Sequence, residues 1–399
     1  MISIEEARRI VLGQTTRLAM ETVPLLESLG MVLAEDVRSP WDIPAADNSA
    51  MDGYAFSHGS LQGGSLPVCG FLPAGTVWTD PVPAGQAIKI MTGAQIPPGC
   101  DTVVPVEDVL ETPEGIVLKD VSKPGSHVRK RGEDVGADEL VFTAGTVIRP
   151  QEIGMFASFG RTEANVYRRP VVAILATGDE LVEPGEERLP GKIVNSNSYS
   201  VAAQVLEAGG KPIMLGIARD DREITCELLQ KGLQADVVIT SGGVSIGDHD
   251  FVKEVIEAMG GDLKFWKINM KPGKPLAFAV VADKPLFALP GNPVAAMVGF
   301  EVFVRPALLA MMGHTRIIRP LVRAIVTEPI LNKGDRPHLV RALVELRDGK
   351  YYLKTTGTQS SARLSSLTQG NALVLVPSGA AIDSGDEVDA SLLDRSFEM

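Results

Sequence analysis

Cysteine is scarce in this chain of 399 residues. Cys69, Cys100 and Cys226 are scattered without CxxC spacing, which excludes a disulfide framework and a cysteine-built metal site and fits a reducing cytoplasm. Histidine is scarce too. His58, His127, His249, His314 and His338 never pair at i, i+4, so structural or surface roles are expected for them rather than a histidine metal site. No uninterrupted apolar run approaches the ~20 residues of a membrane helix, and the opening MISIEEARRI lacks a secretory apolar segment. Neither GxxxxGK[ST] nor GxGxxG occurs, which disfavours P-loop NTPases and NAD enzymes. The formal net charge of -12 argues against a nucleic-acid partner, although a local basic site can still collect an anion within an acidic whole.

What is present is globular: 45% hydrophobic and 22% charged residues, in a length that suits two to four domains. Ser3 and Glu6 form a capping-box pattern ahead of Ile4, Ala7, Ile10 and Val11 at helical spacing, so the chain is expected to open with an amphipathic helix. A second helical pattern, QEIGMFASFG, lies within 137–168. Residues 1–45 with 137–168 are therefore assigned to a helical N-terminal and linking domain. Between them, 46–136 holds short β-type runs such as AIKIMTG and DTVVPVEDV, broken by LPAG, VPAG and IPPG, which predicts an all-β lobe.

From 169 to 315 the apolar runs VVAILA, KPIMLGIA, DVVIT, LKFWKIN and PLFAL alternate with helix-like stretches, as in a doubly wound α/β domain with helices on both faces. The remainder, 316–399, carries VRAIV, HLVRALVEL, YYLKT and ALVLV, with Asp348-Gly349 as a hairpin turn, and is assigned to a C-terminal β domain. The fold class expected is a central α/β domain within a multi-domain α+β chain.

Open α/β sheets bind ligands beyond the carboxyl ends of their strands. The five predicted strands run into Thr177-Gly178-Asp179-Glu180, Arg219-Asp220-Asp221, Ser241-Gly242-Gly243-Val244-Ser245, Lys271-Pro272-Gly273-Lys274-Pro275 and Pro290-Gly291-Asn292-Pro293, and all five are expected along one rim. Glycines at SGGVS allow backbone N–H groups close to a ligand, and a helix starting near Asp248 would add its positive end, a combination suited to phosphate or another oxyanion. Lys267, Lys271 and Lys274 supply cationic donors; Glu180, Asp220 and Asp250 supply hard oxygen ligands suited to Mg²⁺ bridging a phosphate. Singly each is a solvated charge; successive strand ends make them a set.

Gly243-Val244-Ser245-Ile246-Gly247 matches GxSxG, the nucleophile elbow of α/β-hydrolases. An elbow also needs an upstream oxyanion-hole segment and a downstream acid and histidine. His314 and His338 are available downstream, but no HGGG-like segment precedes the elbow, so Ser245 is read as binding rather than attacking. Met270, Met297, Met311 and Met312 are expected in the core, and the Trp266 ring either flanks a ligand or fills the interior.

Together these residues resemble the molybdopterin molybdenumtransferase family, which includes the E domain of gephyrin. The resemblance spans essentially the whole chain. It is carried by Asp47-Asn48-Ser49-Ala50-Met51-Asp52-Gly53-Tyr54-Ala55, Met91-Thr92-Gly93-Ala94, Arg131-Gly132-Glu133-Asp134 and Thr177-Gly178-Asp179-Glu180-Leu181, followed by SGGVS, KPGKP and Leu289-Pro290-Gly291-Asn292-Pro293. One departure is Ser360-Ser361, where Gly-Ser is associated with the family's C-terminal loop.

The resemblance implies an elongated protomer of four domains that forms a homodimer in the cytoplasm. The substrate would lie between the third and fourth domains of one subunit and the β lobe of the other. Asp52, Thr92, Arg129 and Asp134 would then serve a site whose Glu180, Asp220, Asp250, Lys267, Lys271 and Lys274 belong to the partner, with Ser241, Gly242, Gly243, Ser245, Pro290, Asn292, Pro293, Arg341 and Ser361 binding substrate. The reaction implied is transfer of molybdate onto the dithiolene of adenylated molybdopterin, with Mg²⁺ held by Glu180, Asp220 and Asp250, cleavage of the phosphoanhydride and release of AMP. Both reactants are anions, so positioning and charge stabilisation can supply most of the rate without a nucleophilic side chain. A separate molybdopterin adenylyltransferase is the expected protein partner. Two rival roles are the adenylyltransferase step itself, against which the flanking domains argue, and a non-catalytic scaffold, against which the charged rim argues.

Overall fold

A computed structural model describes residues 1–61, 63, 65–120, 123–219, 221–243 and 251–393. The chain packs into two compact units, one of Met1–Ala34, Val147–Arg149 and Glu163–Met399, the other of Glu35–Thr146 and Pro150–Thr162.

The larger unit begins with helix α1 (Ile4–Gly13), where Ser3 Oγ accepts from the Glu6 N–H at 3.1 Å, half of the capping box expected from the sequence. Ile4, Ala7 and Val11 form its buried face, and they join the core beneath the central sheet. That sheet is built from β1 (Val171–Thr177), α2 (Asn197–Glu207), β2 (Lys211–Ala218), α3 (Arg222–Gly232), β3 (Val237–Ser241), α4 (Phe251–Ala258), β4 (Asp262–Phe265), β5 (Ala277–Val281) and β6 (Lys284–Leu289). Strand order is β2-β1-β3-β6-β5-β4. β2, β1, β3 and β6 run parallel, whereas β5 is antiparallel to both neighbours, so β4 points the same way as the parallel set.

Residues alternate between two covered faces, which is why the strands read as continuous apolar runs. Val237, Ile239, Phe287 and Leu289 face α1 and α2 in one core. Val238, Leu286 and Ala288 face Leu229, Val252 and Ile256 in the other. At the amino ends, Arg168 forks onto both Asp236 carboxylate oxygens at 2.6 Å, and the Val171 N–H donates to the same group at 2.9 Å. Burial pushes the Asp236 pKa up, but these donors and the nearby Arg168 and Lys284 charges outweigh it and hold the carboxyl below its usual range.

The sheet leads into a 19-residue helical run, Pro293–Met311, interrupted by a π turn at Phe300–Val304. It is long and apolar enough to cross a membrane, but 78% of it is buried in this unit and it carries Glu301 and Arg305. The buried Met270, Met311 and Met312 belong to the interior, as expected, and Trp266 packs against the second core with the Lys253 ammonium 6.0 Å from its ring.

A closed barrel follows, of β7 (Leu321–Val326), β8 (His338–Arg347), β9 (Lys350–Thr355), β10 (Ala372–Val376) and β11 (Glu387–Leu392), in the order β7-β9-β8-β10-β11. Val340, Ala342 and Val344 fill its interior, while Leu339 and Leu373 join the core under the central sheet. Asp348 and Gly349 form the predicted two-residue turn, with φ of 49° and 74°.

The second unit is almost wholly β. Its four-stranded sheet runs Val68–Leu72, Ala87–Ile90, Gly53–Phe56, Thr102–Pro105, and a three-stranded sheet contains Ser65–Leu66, Gly115–Leu118 and Val109–Thr112. The helix Pro150–Ser158 covers most of the predicted QEIGMFASFG pattern, starting one residue ahead of it, and buries Phe156.

Candidate functional site

Because β1, β2, β3, β4 and β6 all point one way, the five loops anticipated from the sequence emerge at the same end of the sheet. After β1, Glu180 is exposed, with its carboxylate folded over Gly178. Lys192 Nζ and Arg219 Nη1 both donate to the Asp179 carbonyl, and Arg219 Nη1 also reaches the Leu181 carbonyl at 2.8 Å. Two cations thus fix the loop that presents Glu180. Asp220, Ser245 and Asp250, with the start of the helix anticipated near Asp248, lie outside the described residues.

Beyond β3 the chain makes a close approach that only glycine allows. Gly242 has φ +95° and Gly243 φ +65°, and a Cβ on Gly242 would stand 2.6 Å from the Thr177 carbonyl oxygen. The Gly242 N–H donates to the Leu289 carbonyl at 3.1 Å, which brings this turn beside the one after β6, where a Cβ added to Gly291 would stand 3.7 Å from the Gly242 Cα. Thr177 Oγ1, under both glycines, is buried without a hydrogen-bond partner among the described residues.

The lysine loop lies between β4 and β5. The predicted strand LKFWKIN stops at Phe265, because the Ile268 N–H turns to donate to the Lys274 carbonyl at 3.0 Å and the Asn269 N–H donates to the Ile2 carbonyl. Lys267 and Lys274 are half-buried and Lys271 is exposed. The barrel grips this loop: the Lys271 N–H donates to Pro337 O at 2.9 Å and the Leu339 N–H to Lys271 O at 2.8 Å. A second seam joins the barrel to the start of the Pro293–Met311 helix, where the Val294 N–H donates to the Ser361 carbonyl at 3.2 Å. Pro290 is buried, whereas Asn292 is exposed at the N-cap with Pro293 at the first turn.

Arg341 stands behind that seam. It is fully buried, donating from Nε to Ser366 Oγ at 3.2 Å and from Nη2 to the Ser360 carbonyl at 3.1 Å, while Gln359 accepts from its backbone N–H and donates to its carbonyl. Its Nη1 has no partner among the described residues. Burial lowers the guanidinium to about 10. His338, 5% exposed and bridged to Lys271, likewise has Nε2 unpartnered among the described residues. Burial, then the charges of Lys271 and Arg341, push its imidazole down to about 4. A cavity of about 510 Å³ against α1 and the barrel wall lies at Val302 and Pro306, the opposite half of the helix from these loops, and is not part of the site.

Sequence reasoning missed Asn197. It is the first residue of α2, and its side-chain amide donates to Ser241 Oγ and to the Gly291 carbonyl, each at 2.8 Å. The polar stretch NSNSYS carries no signal that would have singled it out.

The second unit gathers the other predicted residues. Asp52 Oδ1 accepts from both the N–H and the hydroxyl of Thr92, at 2.7 and 2.6 Å. The hydroxyl bond and then the N–H bond hold the Asp52 carboxyl below its ordinary range. Arg129 and Asp134 are exposed, Arg129 pairing with Asn48 in a short ladder and the Asp134 N–H donating to Ile43 O at 3.0 Å. Between them, Lys130 and Arg131 are occupied by Asp47 and Asp42, which leaves Arg129 as the cation of this run with no ion pair among the described residues.

Among the described residues no group of three or more His, Cys, Asp and Glu side chains is placed to hold a metal ion. Glu180 is the one member of the expected Mg²⁺ set that is described, and its exposed carboxylate at a strand end has the hard-oxygen chemistry the ion requires.

Three family models match consecutive stretches of the chain: MoeA N-terminal region (domain I and II) over residues 2–160, Probable molybdopterin binding domain over 173–310, and MoeA C-terminal region (domain IV) over 323–393. The chain is 36% identical over 389 residues to molybdopterin molybdenumtransferase 2 of Mycobacterium tuberculosis, covering 94% of this chain and 96% of that protein. It is 35% identical to the molybdopterin molybdenumtransferase of Bacillus subtilis, covering 98% and 94%. Among solved structures, the molybdopterin biosynthesis moeA protein of Pyrococcus horikoshii OT3 superposes with a TM-score of 0.84 at 32% identity, over 98% of this chain and all of that one.

Proposed function

The chain belongs to the molybdopterin molybdenumtransferase family, and from that premise we propose that the strand-end rim of its α/β domain is where molybdate is inserted into the dithiolene of adenylated molybdopterin, with release of AMP. The observation that carries this assignment is how three strand-end loops are tied: the Gly242 N–H donates to the Leu289 carbonyl, and the barrel pairs both with Lys271, through Pro337 and Leu339, and with Val294, through Ser361. Backbone N–H groups, lysines and a helix start all belong to loops at this end of the sheet, a set that suits two anionic reactants.

Gly242 and Gly243 let the main chain approach the pyrophosphate bridge, and Ser241 and Ser245 bind beside them. Lys267, Lys271 and Lys274 neutralise oxyanion charge. Pro290, Asn292 and Pro293 present the helix start, with Ser361 and Arg341 on the barrel side. The buried guanidinium of Arg341 keeps one nitrogen without an acceptor among the described residues. A buried charge so placed is costly, and an anion bound against it would offset that cost.

Glu180, Asp220 and Asp250 would hold Mg²⁺, whose charge neutralises phosphate oxygens while AMP departs. The enzyme acts as a cytoplasmic homodimer, consistent with its three free cysteines. Asp52, Thr92, Arg129 and Asp134 of one copy serve the rim of the other, the two residue sets lying in separate compact units. A separate molybdopterin adenylyltransferase delivers the substrate.

The test is Arg341→Met, which keeps an unbranched side chain but removes the charge. Saturation of AMP release by molybdate should shift to at least about tenfold higher concentration, the equivalent of one lost charge-assisted hydrogen bond. Unaltered molybdate dependence in a folded variant removes Arg341 from the anion site.

A further inference from the structure

The orientation of the Asn197 amide is fixed by its neighbours. The Gly291 carbonyl can only accept, so the atom 2.8 Å from it must be the amide nitrogen, and the same nitrogen lies 2.8 Å from Ser241 Oγ. Its two hydrogens therefore go to two acceptors. Ser241 Oγ uses a lone pair on Asn197, which leaves the Ser241 hydrogen for some other acceptor, and none of the described residues takes it. Ser241 is 3% exposed and is the last residue of β3, immediately before the glycine turn. A hydroxyl proton directed by a fixed donor at this point is a preorganised hydrogen-bond donor for an oxyanion.

The support behind Asn197 is itself specified. Asn195, 2% exposed, accepts from the Ser198 N–H at 3.2 Å and donates to Glu183 at 3.1 Å, so the first turn of α2 is held on both sides of Asn197. Asn197 thus ties the end of β3 to the loop after β6.

We infer that Asn197 is a positioning residue of the rim: by donating to Ser241 Oγ it turns the Ser241 O–H toward a phosphate oxygen of the substrate, and by donating to Gly291 it locks the two anion-facing turns to each other. The inference rests on the reading of this rim as the seat of adenylated molybdopterin. Asn197 makes no contact with substrate in this account; it acts through Ser241.

The test is a double-mutant cycle on Asn197 and Ser241, read as the Kd of adenylated molybdopterin without molybdate. Asn197→Ala should weaken binding about tenfold when Ser241 is present, since an undirected hydroxyl loses much of a hydrogen bond to a charged group. In Ser241→Ala the same change should cost less than about threefold, on the same conversion. Asn197→Asp should be worse than Asn197→Ala, because a carboxylate only accepts, draws the Ser241 proton away from the substrate and faces the Gly291 carbonyl. Asn197→Ser, too short to reach both acceptors, gives a milder second arm should the others unfold, with thermal unfolding followed for each variant. If Ser241→Ala alone leaves the Kd unchanged, the rim is not the phosphate seat and the functional reading itself falls. If Ser241→Ala weakens binding but the cost of Asn197→Ala is the same with and without Ser241, the rim stands and the role given to Asn197 is wrong.

Discussion

Lys271 and His338 stand opposite each other in a parallel bridge between the lysine loop and the barrel, with the Leu339 N–H donating to Lys271 O at 2.8 Å. The imidazole is therefore buried next to positive charge from both Lys271 and Arg341, and it is pushed down to about 4. A histidine with a depressed folded-state pKa is neutral in the native protein and takes up a proton on unfolding. Its contribution to stability is fully present above the unfolded value near 6.5 and is lost as pH falls toward 4. Denaturant unfolding of the wild type should weaken below pH 6.5 more steeply than that of His338→Gln, by up to about 1.4 kcal/mol per pH unit for a single proton. Parallel pH profiles for the two proteins contradict this assignment.

Gly242 has no tolerance for a side chain. Gly242→Ala would place a Cβ 2.6 Å from the Thr177 carbonyl at a φ of +95°, combining backbone strain of about 1–2 kcal/mol with overpacking of similar size. The variant should unfold several degrees lower and bind adenylated molybdopterin at least about tenfold more weakly. Wild-type affinity would mean that the turn does not shape the site.

Much of this architecture is legible in the sequence because local physics writes it there. VVAILA, DVVIT and PLFAL are apolar on both faces since both are covered, and Asp348-Gly349 announces its turn. The β5–β6 hairpin was missed. Its two-residue turn is Ala282-Asp283, with φ of 48° and 61°, positions where glycine or asparagine would have given the signal. The packing of α1 onto the central core and the closure of the barrel are long-range contacts that no local pattern encodes. The same holds at the site: strand-end motifs pointed to the loops, whereas Asn197 gains its role only from two residues distant in sequence, Ser241 and Gly291.

Composite sites make a distinctive prediction. If the sites are shared across a homodimer as proposed, then with Asp134→Asn in one protomer and Glu180→Gln in the other, each inactive as a homodimer, a mixed dimer would collect both lesions in one site and two intact halves in the second. Purified through separate tags, it should recover up to about half of the wild-type AMP release per dimer. A mixed dimer as inactive as its parents, beside active wild-type controls, assigns both groups to a single subunit's site.

The most direct test of the central claim is the reaction itself. Purified enzyme, adenylated molybdopterin and Mg²⁺ are incubated with and without molybdate, and AMP and molybdenum-loaded pterin are quantified together by mass analysis. Molybdate should stimulate AMP release and excess chelator suppress it, with one loaded pterin for each AMP. AMP release indifferent to molybdate, or undiminished in chelator, would contradict the central claim.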